Sequence, residues 1–419
     1  MGRQYKNSGI DWIGFVPDSW AIAPTKRYFR YGKDKVGAKS DDYERLALTM
    51  SGVIKRNKDD NEGLQPEKFD GYQVLKPNEL VFKLIDLANV KTSRVGLSPY
   101  LGIVSPAYII IRNQENDNRF YYYWFMFMYY NLIFNHMGDD GVRSALSPED
   151  VLNIPIPIIP LDEQYRIADY LDKKCGEIDS LIELQEQMIE KLKAYKQSVI
   201  TEAVTKGLNP NAKLIPSGID WIGEIPEHWE VCRFKDIASV KANLVHPDDY
   251  LDFPQIAPDN IEKGSGRLLH YKSVRNSNVI SDNHLFYKGQ IVYSKIRPVL
   301  NKLIIAPFDG LCSADMYPIE TENDINYQKY YMLSAAFISQ VALVVQDRVK
   351  MPKINKDELS VIYVLSLPLP EQQAIASYLD GKCSEIDNLI AMKQHKIEKL
   401  KDYKKSVIYE AVTGKIIIE

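Results

Sequence analysis

The sequence predicts an α/β (α+β) chain in tandem duplication. Two head domains are joined by two long helices that form an antiparallel coiled-coil spacer, and the arrangement is pseudo-twofold. Three observations carry this expectation. The chain has 419 residues, beyond the roughly 250–300 at which one hydrophobic core stops growing. Ser8–Trp20 (SGIDWIGFVPDSW) recurs as Ser217–Trp229 (SGIDWIGEIPEHW), with nine of 13 positions identical at an offset of 209. Leu161–Lys206 recurs without gaps as Leu369–Gly414, with 29 of 46 positions identical at an offset of 208. An offset of half the chain means a whole-chain duplication, whereas solenoid repeats have periods of roughly 20–50 residues.

In chain order, the first repeat opens with the tryptophan motif and runs into an insert. There Glu79–Leu84 (ELVFKL) and Gly102–Ile111 (GIVSPAYIII) read as strands, being β-branched and aromatic runs bounded by Pro, Gly and Asn. Phe120–Met137 is aromatic enough to be mistaken for a membrane span. Its five tyrosines, Asn131, Asn135 and His136, and its marginal length favour a helix buried inside a domain. In the second insert Gln290–Ser294, Lys302–Ala306 and Val361–Leu367 read as strands and Tyr327–Leu343 as the corresponding helix. The two inserts share little identity, so the repeated frame either presents two different readers or has drifted neutrally in a fold that tolerates substitution.

The repeated block reads as a long helix. Leu171, Cys175, Ile178, Ile182, Gln185, Ile189 and Leu192 step by four and three, the heptad seam of a coiled coil, drifting later toward Tyr195 and Val199. Leu379, Cys383, Ile386, Ile390, Lys393, Ile397 and Leu400 repeat the pattern. Pro160 and Pro368–Pro370 mark the starts, while Gly207 and Gly414 mark the ends. At about 1.5 Å per residue such a helix extends roughly 65–70 Å, the dimension of a spacer. Gln185 and Lys393 are the polar steps of the seam. They either fix register or snorkel into solvent. Cys175 and Cys383 read as small buried hydrophobes. The expected boundaries are 1–157 (first head), 158–208 (central helix), 209–366 (second head) and 367–419 (C-terminal helix).

Composition excludes several function classes. Lys and Arg total 52 against 56 Asp and Glu, a net charge of −4, so any nucleic-acid contact must come from locally placed cations. Residues 1–160 carry 20 basic against 19 acidic side chains, and residues 207–368 carry 17 against 19. Four cysteines without a CxxC pair argue against a zinc ribbon and for a reducing, cytoplasmic location; no metal site is expected. The opening MGRQYKNSGIDW has no apolar stretch, so no secretory signal is expected. No Walker A, methyltransferase, HExxH or GxSxG pattern occurs, so no catalytic residue is assigned. Asp402 and Lys404 have nuclease-like DxK spacing but fall on the second long helix, where a solvated face is expected. Basic and amide side chains interleaved with turn residues are the candidate DNA contacts. These are Lys55, Arg56, Lys83, Lys91, Arg94 and Arg143 in the first insert, with Asn260, Arg267, Lys295, Arg297, Lys302, Arg348 and Lys350 in the second.

The two SGIDWIG…P..W openings, the proline leads into Glu163–Gln164 and Glu371–Gln372, and the two helices ending in YKxSVIxEAVT together resemble the specificity (S) subunit of type I restriction–modification systems. Within the inserts, Val81–Lys83 with Gly102–Tyr108, and Ser294–Pro298 with Asp309–Tyr317, resemble that family's target recognition domains; Ala257–Ile261 (APDNI) supports the second. The resemblance covers nearly the whole chain. It implies a non-catalytic subunit in which two such domains each read half of a bipartite, asymmetric site in double-stranded DNA. It also implies docking of two methyltransferase (M) subunits, with restriction (R) subunits in the full complex and no membrane. S-adenosylmethionine, ATP and Mg would be held by the partners, and this chain would hold no cofactor. Trp12, Trp20, Trp221 and Trp229 would face M or serve only as core anchors. A two-armed protein scaffold, or a fragment of a fused restriction–modification enzyme, is the competing reading; the fused enzyme needs motifs that this chain lacks.

Overall fold

The computed structural model describes residues 3–50, 52–58, 68–85, 87, 94–113, 115–137 and 145–418. The chain divides into two compact units: Met1–Gln185 with His395–Glu419, and Glu186–Gln394. Each unit combines one insert and the start of its own long helix with the end of the other repeat's helix. The repeat is therefore closed by exchange, because each helix end finds its apolar seat beside the partner repeat's opening motif.

The long helices are Leu161–Lys206 and Leu369–Val412. Pro160 and Pro368 precede them, and Gly207 and Gly414 follow in the left-handed region at φ +75° and +69°. A side chain would collide at Gly414 and be tightly seated at Gly207. A Cβ on Gly414 would lie 2.5 Å from the Pro17 ring, and one on Gly207 would lie 3.2 Å from the Trp229 ring. Within each unit the two helices run antiparallel. In the first, Lys404 pairs with Asp179 at 2.7 Å, while Ile408 and Cys175 line the same cleft one turn further on. In the second, Lys196 pairs with Asp387 at 2.7 Å, and Ile200 and Cys383 take the corresponding places.

The heptad positions face inward. Leu171, Cys175, Ile178, Gln185, Ile189, Leu379, Cys383, Ile386 and Ile397 are buried, and Ile182, Leu192, Ile390, Lys393 and Leu400 are half-buried. The drift ends at Val199, which is buried; Tyr195 is exposed. Gln185 is only 3% exposed, so it does not snorkel, and its Oε1 accepts no hydrogen bond among the described residues. Lys404 corrects the expectation of a solvated face: it is half-buried in its pair with Asp179, whereas Asp402 stays exposed beside Lys405.

Each head contains two main sheets, and the strand order is shared. In the first unit one sheet runs Gly52–Arg56, Arg45–Thr49, Gly102–Val104, Gln73–Leu75, and the other runs Arg30–Gly32, Ile109–Arg112, Leu80–Phe82, Val95–Leu97. The second unit repeats the second of these as Ala238–Val240, Met316–Thr321, Ile291–Ser294, Leu303–Ile305. Its five-stranded sheet runs Lys272–Ser273, Pro254–Ile256, Gly310–Ser313, Asn283–Phe286, Leu244–Val245. Among the described residues each head has one parallel pairing, Ile103 with Arg45 and Leu311 with Gln255; the rest is antiparallel. The run 102–111 is two strands in two sheets, because Ser105–Tyr108 makes a turn in which the Tyr108 N–H donates to the Ser105 carbonyl. The second insert's helix is likewise two, Ile325–Leu333 and Ala335–Val345. Ser334 takes extended geometry between them and caps the second through the Phe337 N–H.

The aromatic helix is Asn118–Tyr130, capped by Asp117 and buried on nearly every side. Among the described residues no helix is long and apolar enough to cross a membrane. Trp20 and Trp229 are core residues whose indole N–H groups donate to Glu163 (3.1 Å) and Glu371 (3.0 Å). Their motif partners differ: the Trp12 ring lies 5.9 Å from that of Trp124 at a tilt of 48°, while Trp221 is exposed.

Candidate nucleic-acid interface

In the second unit the candidate cations converge on one rim because two loops distant in sequence pair there. Ile296 bridges Lys353, the Arg297 N–H donates to the Pro352 carbonyl (2.7 Å), and the Ile354 N–H donates to the Lys295 carbonyl (3.0 Å). This places Lys295, Arg297, Lys350 and Lys353 together. Lys295 lies 5.1 Å from the Tyr317 ring, and Lys353 pairs with Asp315 at 3.0 Å. Arg297 and Lys350 are exposed. Beside them, Val349 is 95% exposed, and Met351 is exposed in the left-handed region at φ +46°.

The other candidates of this unit are committed to the fold. Asn260 accepts the Ala257 N–H (2.7 Å) and so holds its own turn. Lys302 donates to the Pro258 carbonyl (2.7 Å), fastening the APDNI turn to the next sheet. Arg267 pairs with Glu262 (3.0 Å), and Arg348 pairs with Glu358. A cation already facing a carboxylate must give up that partner to meet a phosphate or a base.

The first unit offers a different surface. Lys55 is exposed on the edge strand Gly52–Arg56, 5.6 Å from the Tyr100 ring. Arg56 and Lys83 are half-buried. Arg94, another of the candidates, is buried. It is 2% exposed, and its carbonyl accepts the Lys83 N–H at 2.9 Å beside the edge strand Val95–Leu97. Lys91 and Arg143 lie outside the described residues.

A second constellation, which the sequence reading did not pick out, ties each head to the helices. In the first unit the Tyr123 hydroxyl donates to Asp172 (2.8 Å), with Arg119 on the same carboxylate (2.8 Å). In the second the Tyr330 hydroxyl donates to Asp380 (2.6 Å), with Lys329 at 3.5 Å. Burial and the neighbouring carboxylate push both phenols well above their ordinary range. Burial also raises the Cys175 thiol beside this site to about 11, so it is not a reactive thiolate. The signal was present in the repeat: Asp172 and Asp380 close the YLD shared by both copies. Tyr317 closes the Asp309–Tyr317 segment already singled out, whereas nothing local in the sequence marks Lys353 and Tyr100.

The family described as type I restriction modification DNA specificity domain matches residues 66–194 and 226–402. The chain is 28% identical over 409 residues to the type I restriction enzyme EcoDI specificity subunit of Escherichia coli, covering 92% of this chain and 90% of that one. It is 23% identical to the putative type I restriction enzyme MjaX specificity subunit of Methanocaldococcus jannaschii, covering 97% and 96%. A solved chain from work on complex assembly and conformational transition of the type I R-M system superposes with a TM-score of 0.68 at 14% identity. That match covers 96% of this chain and 99% of the other, so the fold is shared.

Proposed function

We propose, from the premise that the chain belongs to the type I restriction modification DNA specificity family, that it is the subunit that reads DNA sequence for a type I enzyme. It is the non-catalytic member: methylation and cleavage reside in other subunits, which bring S-adenosylmethionine, ATP and Mg. Its two target recognition domains, 1–157 and 209–366, each read one half of a bipartite, asymmetric site in double-stranded DNA. The helical segments 158–208 and 367–419 set the gap between the halves.

One observation carries this reading. The heads share a strand order yet present unlike rims, Lys295, Arg297, Lys350 and Lys353 on one and Lys55 beside Tyr100 on the other. One scaffold with two different surfaces suits an asymmetric target, because base readout depends on which side chains reach the groove.

The partner reading rests on a repeated pattern of exposure. The first unit leaves Leu161, Leu181, Leu184 and Tyr403 exposed, and the second leaves the corresponding Leu369, Leu389, Met392 and Tyr195 exposed. Two equivalent apolar sets suit two copies of one partner, the M subunits; R subunits join in the full complex. The cytoplasm, where DNA and these partners meet, is the proposed location.

The test is co-expression with an M subunit of a type I system from the same source, followed by genome-wide methylation mapping. A split site with an unspecified gap is expected. Exchanging residues 230–360 for those of a relative should change one half-site and leave the other intact; a change in both halves, or in neither, refutes the assignment.

A further inference from the structure

We infer that Arg297 identifies a guanine for the second target recognition domain, an inference that rests on the DNA-reading function above. The second unit contains five arginines. Four are engaged: Arg233 with the Tyr363 hydroxyl (2.6 Å), Arg267 with Glu262 (3.0 Å), Arg275 with Asp252 (3.1 Å) and Arg348 with Glu358. The Arg297 guanidinium alone has no hydrogen bond or ion pair among the described residues, and the residue is exposed. A guanidinium is a planar fork of five N–H donors that matches two acceptors side by side, and guanine presents O6 and N7 in that way in the major groove.

The backbone beneath that fork is held in a costly shape. Arg297 lies at φ +43°, a left-handed conformation uncommon for any residue with a long side chain. It persists because it is pinned from several directions. Its N–H donates to the Pro352 carbonyl (2.7 Å), its carbonyl accepts the Leu300 N–H (2.9 Å), and the next residue is the buried Pro298. Across the same pairing Met351 is also left-handed, and Asn301 three residues beyond Pro298 is too, its amide donating to the Met332 carbonyl at 2.8 Å. Strain maintained against its cost by surrounding structure is found at sites that must present one group in one direction. Here the presented group is the unpartnered arginine. Of the flanking cations, the exposed Lys350 and Lys295, which lies against the Tyr317 ring, are flexible point charges suited to phosphates, whereas Lys353 is held by Asp315. A pinned loop also loses less conformational freedom on binding, which favours discrimination.

The experiment uses the complex of the full chain with its M subunit and reads two things: the methylated motif, and competitive binding to duplexes that differ at single positions. Arg297→Lys keeps the charge and removes the fork. Arg297→Gly removes the side chain while suiting the left-handed backbone, so the loop is not endangered. Both variants should still methylate a split site, with the half-site of the first domain unchanged. At one G·C position of the other half, discrimination should fall by roughly 5- to 150-fold. Lys350→Ala should instead weaken all sequences alike and lower the salt slope by about one. If Arg297→Lys leaves the motif unchanged and Arg297→Gly behaves like Lys350→Ala, Arg297 is a phosphate contact and the inference is overturned. An unaltered motif and unaltered affinity in both variants overturns it equally. A wild-type complex that methylates no split site would bring down the DNA-reading function and this inference together, a result distinct from either.

Discussion

At one ladder position in equivalent sheets the first head carries Gln73 and the second carries His284. Gln73 pairs with Val104, one residue beyond the first head's parallel pairing at Ile103, and His284 pairs with Cys312, whose other side pairs in parallel with Ile256. Both side chains are buried. Gln73 donates to the Ser105 and Tyr108 carbonyls at 3.2 and 2.7 Å, so the turn between its two sheets is held by an amide that never titrates. His284 is 4% exposed, and its Nδ1 finds no partner among the described residues. Burial, with Lys295 nearby, depresses its pKa below the ordinary 6.5. The same fold thus tolerates a satisfied polar core in one head and a pH-sensitive one in the other. The contrast places conformity in the frame and divergence in the heads.

The largest expected effect tests the frame, where the units should behave alike. Trp20→Ala and Trp229→Ala each remove a buried indole bonded to a helix glutamate, and each should cost about 3–5 kcal/mol. Calorimetry should show each substitution lowering the transition of its own unit. Equal effects of both substitutions on a single transition would show the units to be coupled.

Next come the ties between head and helix. Tyr123→Phe and Tyr330→Phe each remove a hydroxyl that donates to a carboxylate, and each should destabilise its unit by about 1 kcal/mol in urea titrations. A loss at only one site would break the equivalence. The exposed half of each helix–helix ion pair makes the third effect smaller. Lys404→Ala and Lys196→Ala should cost under about 1 kcal/mol and should weaken with added salt.

At neutral pH the smallest effect belongs to His284, and it grows on acidification. Its folded pKa is depressed, so below about 6.5 the unfolded chain binds a proton that the native state refuses, and stability falls with pH. His284→Gln, copying the first head's Gln73, should flatten that decline in the second unit alone. A pH profile unchanged by the substitution would assign the acid sensitivity elsewhere.

Much of the frame could be read in advance, because its causes are local. Heptad steps, Pro160 and Pro368 at the starts, and Gly207 and Gly414 at the ends all lie within a turn or two of what they determine. The strand Leu80–Phe82 was legible from its apolar run for the same reason. The run 102–111 reads as one strand by its β-branched and aromatic content, but Ser105–Pro106 in its middle is a turn signal, and the chain turns there, at Ser105–Tyr108. The burial of Arg94 was not legible, because burial is a property of what folds over a residue, not of its neighbours in sequence.

The amino-acid order alone determined the duplication, the two long helices with their inward seams, and the absence of familiar catalytic motifs. Which cations share a surface was decided only in three dimensions. Arg297 and Lys350 are 53 positions apart in the chain, and a bridge between Ile296 and Lys353 brings their loops together. Helix periodicity repeats every few residues and survives in a linear reading. A binding rim is assembled by pairings whose loop-closure cost is repaid only when the whole head is formed, so no short stretch of the chain encodes it.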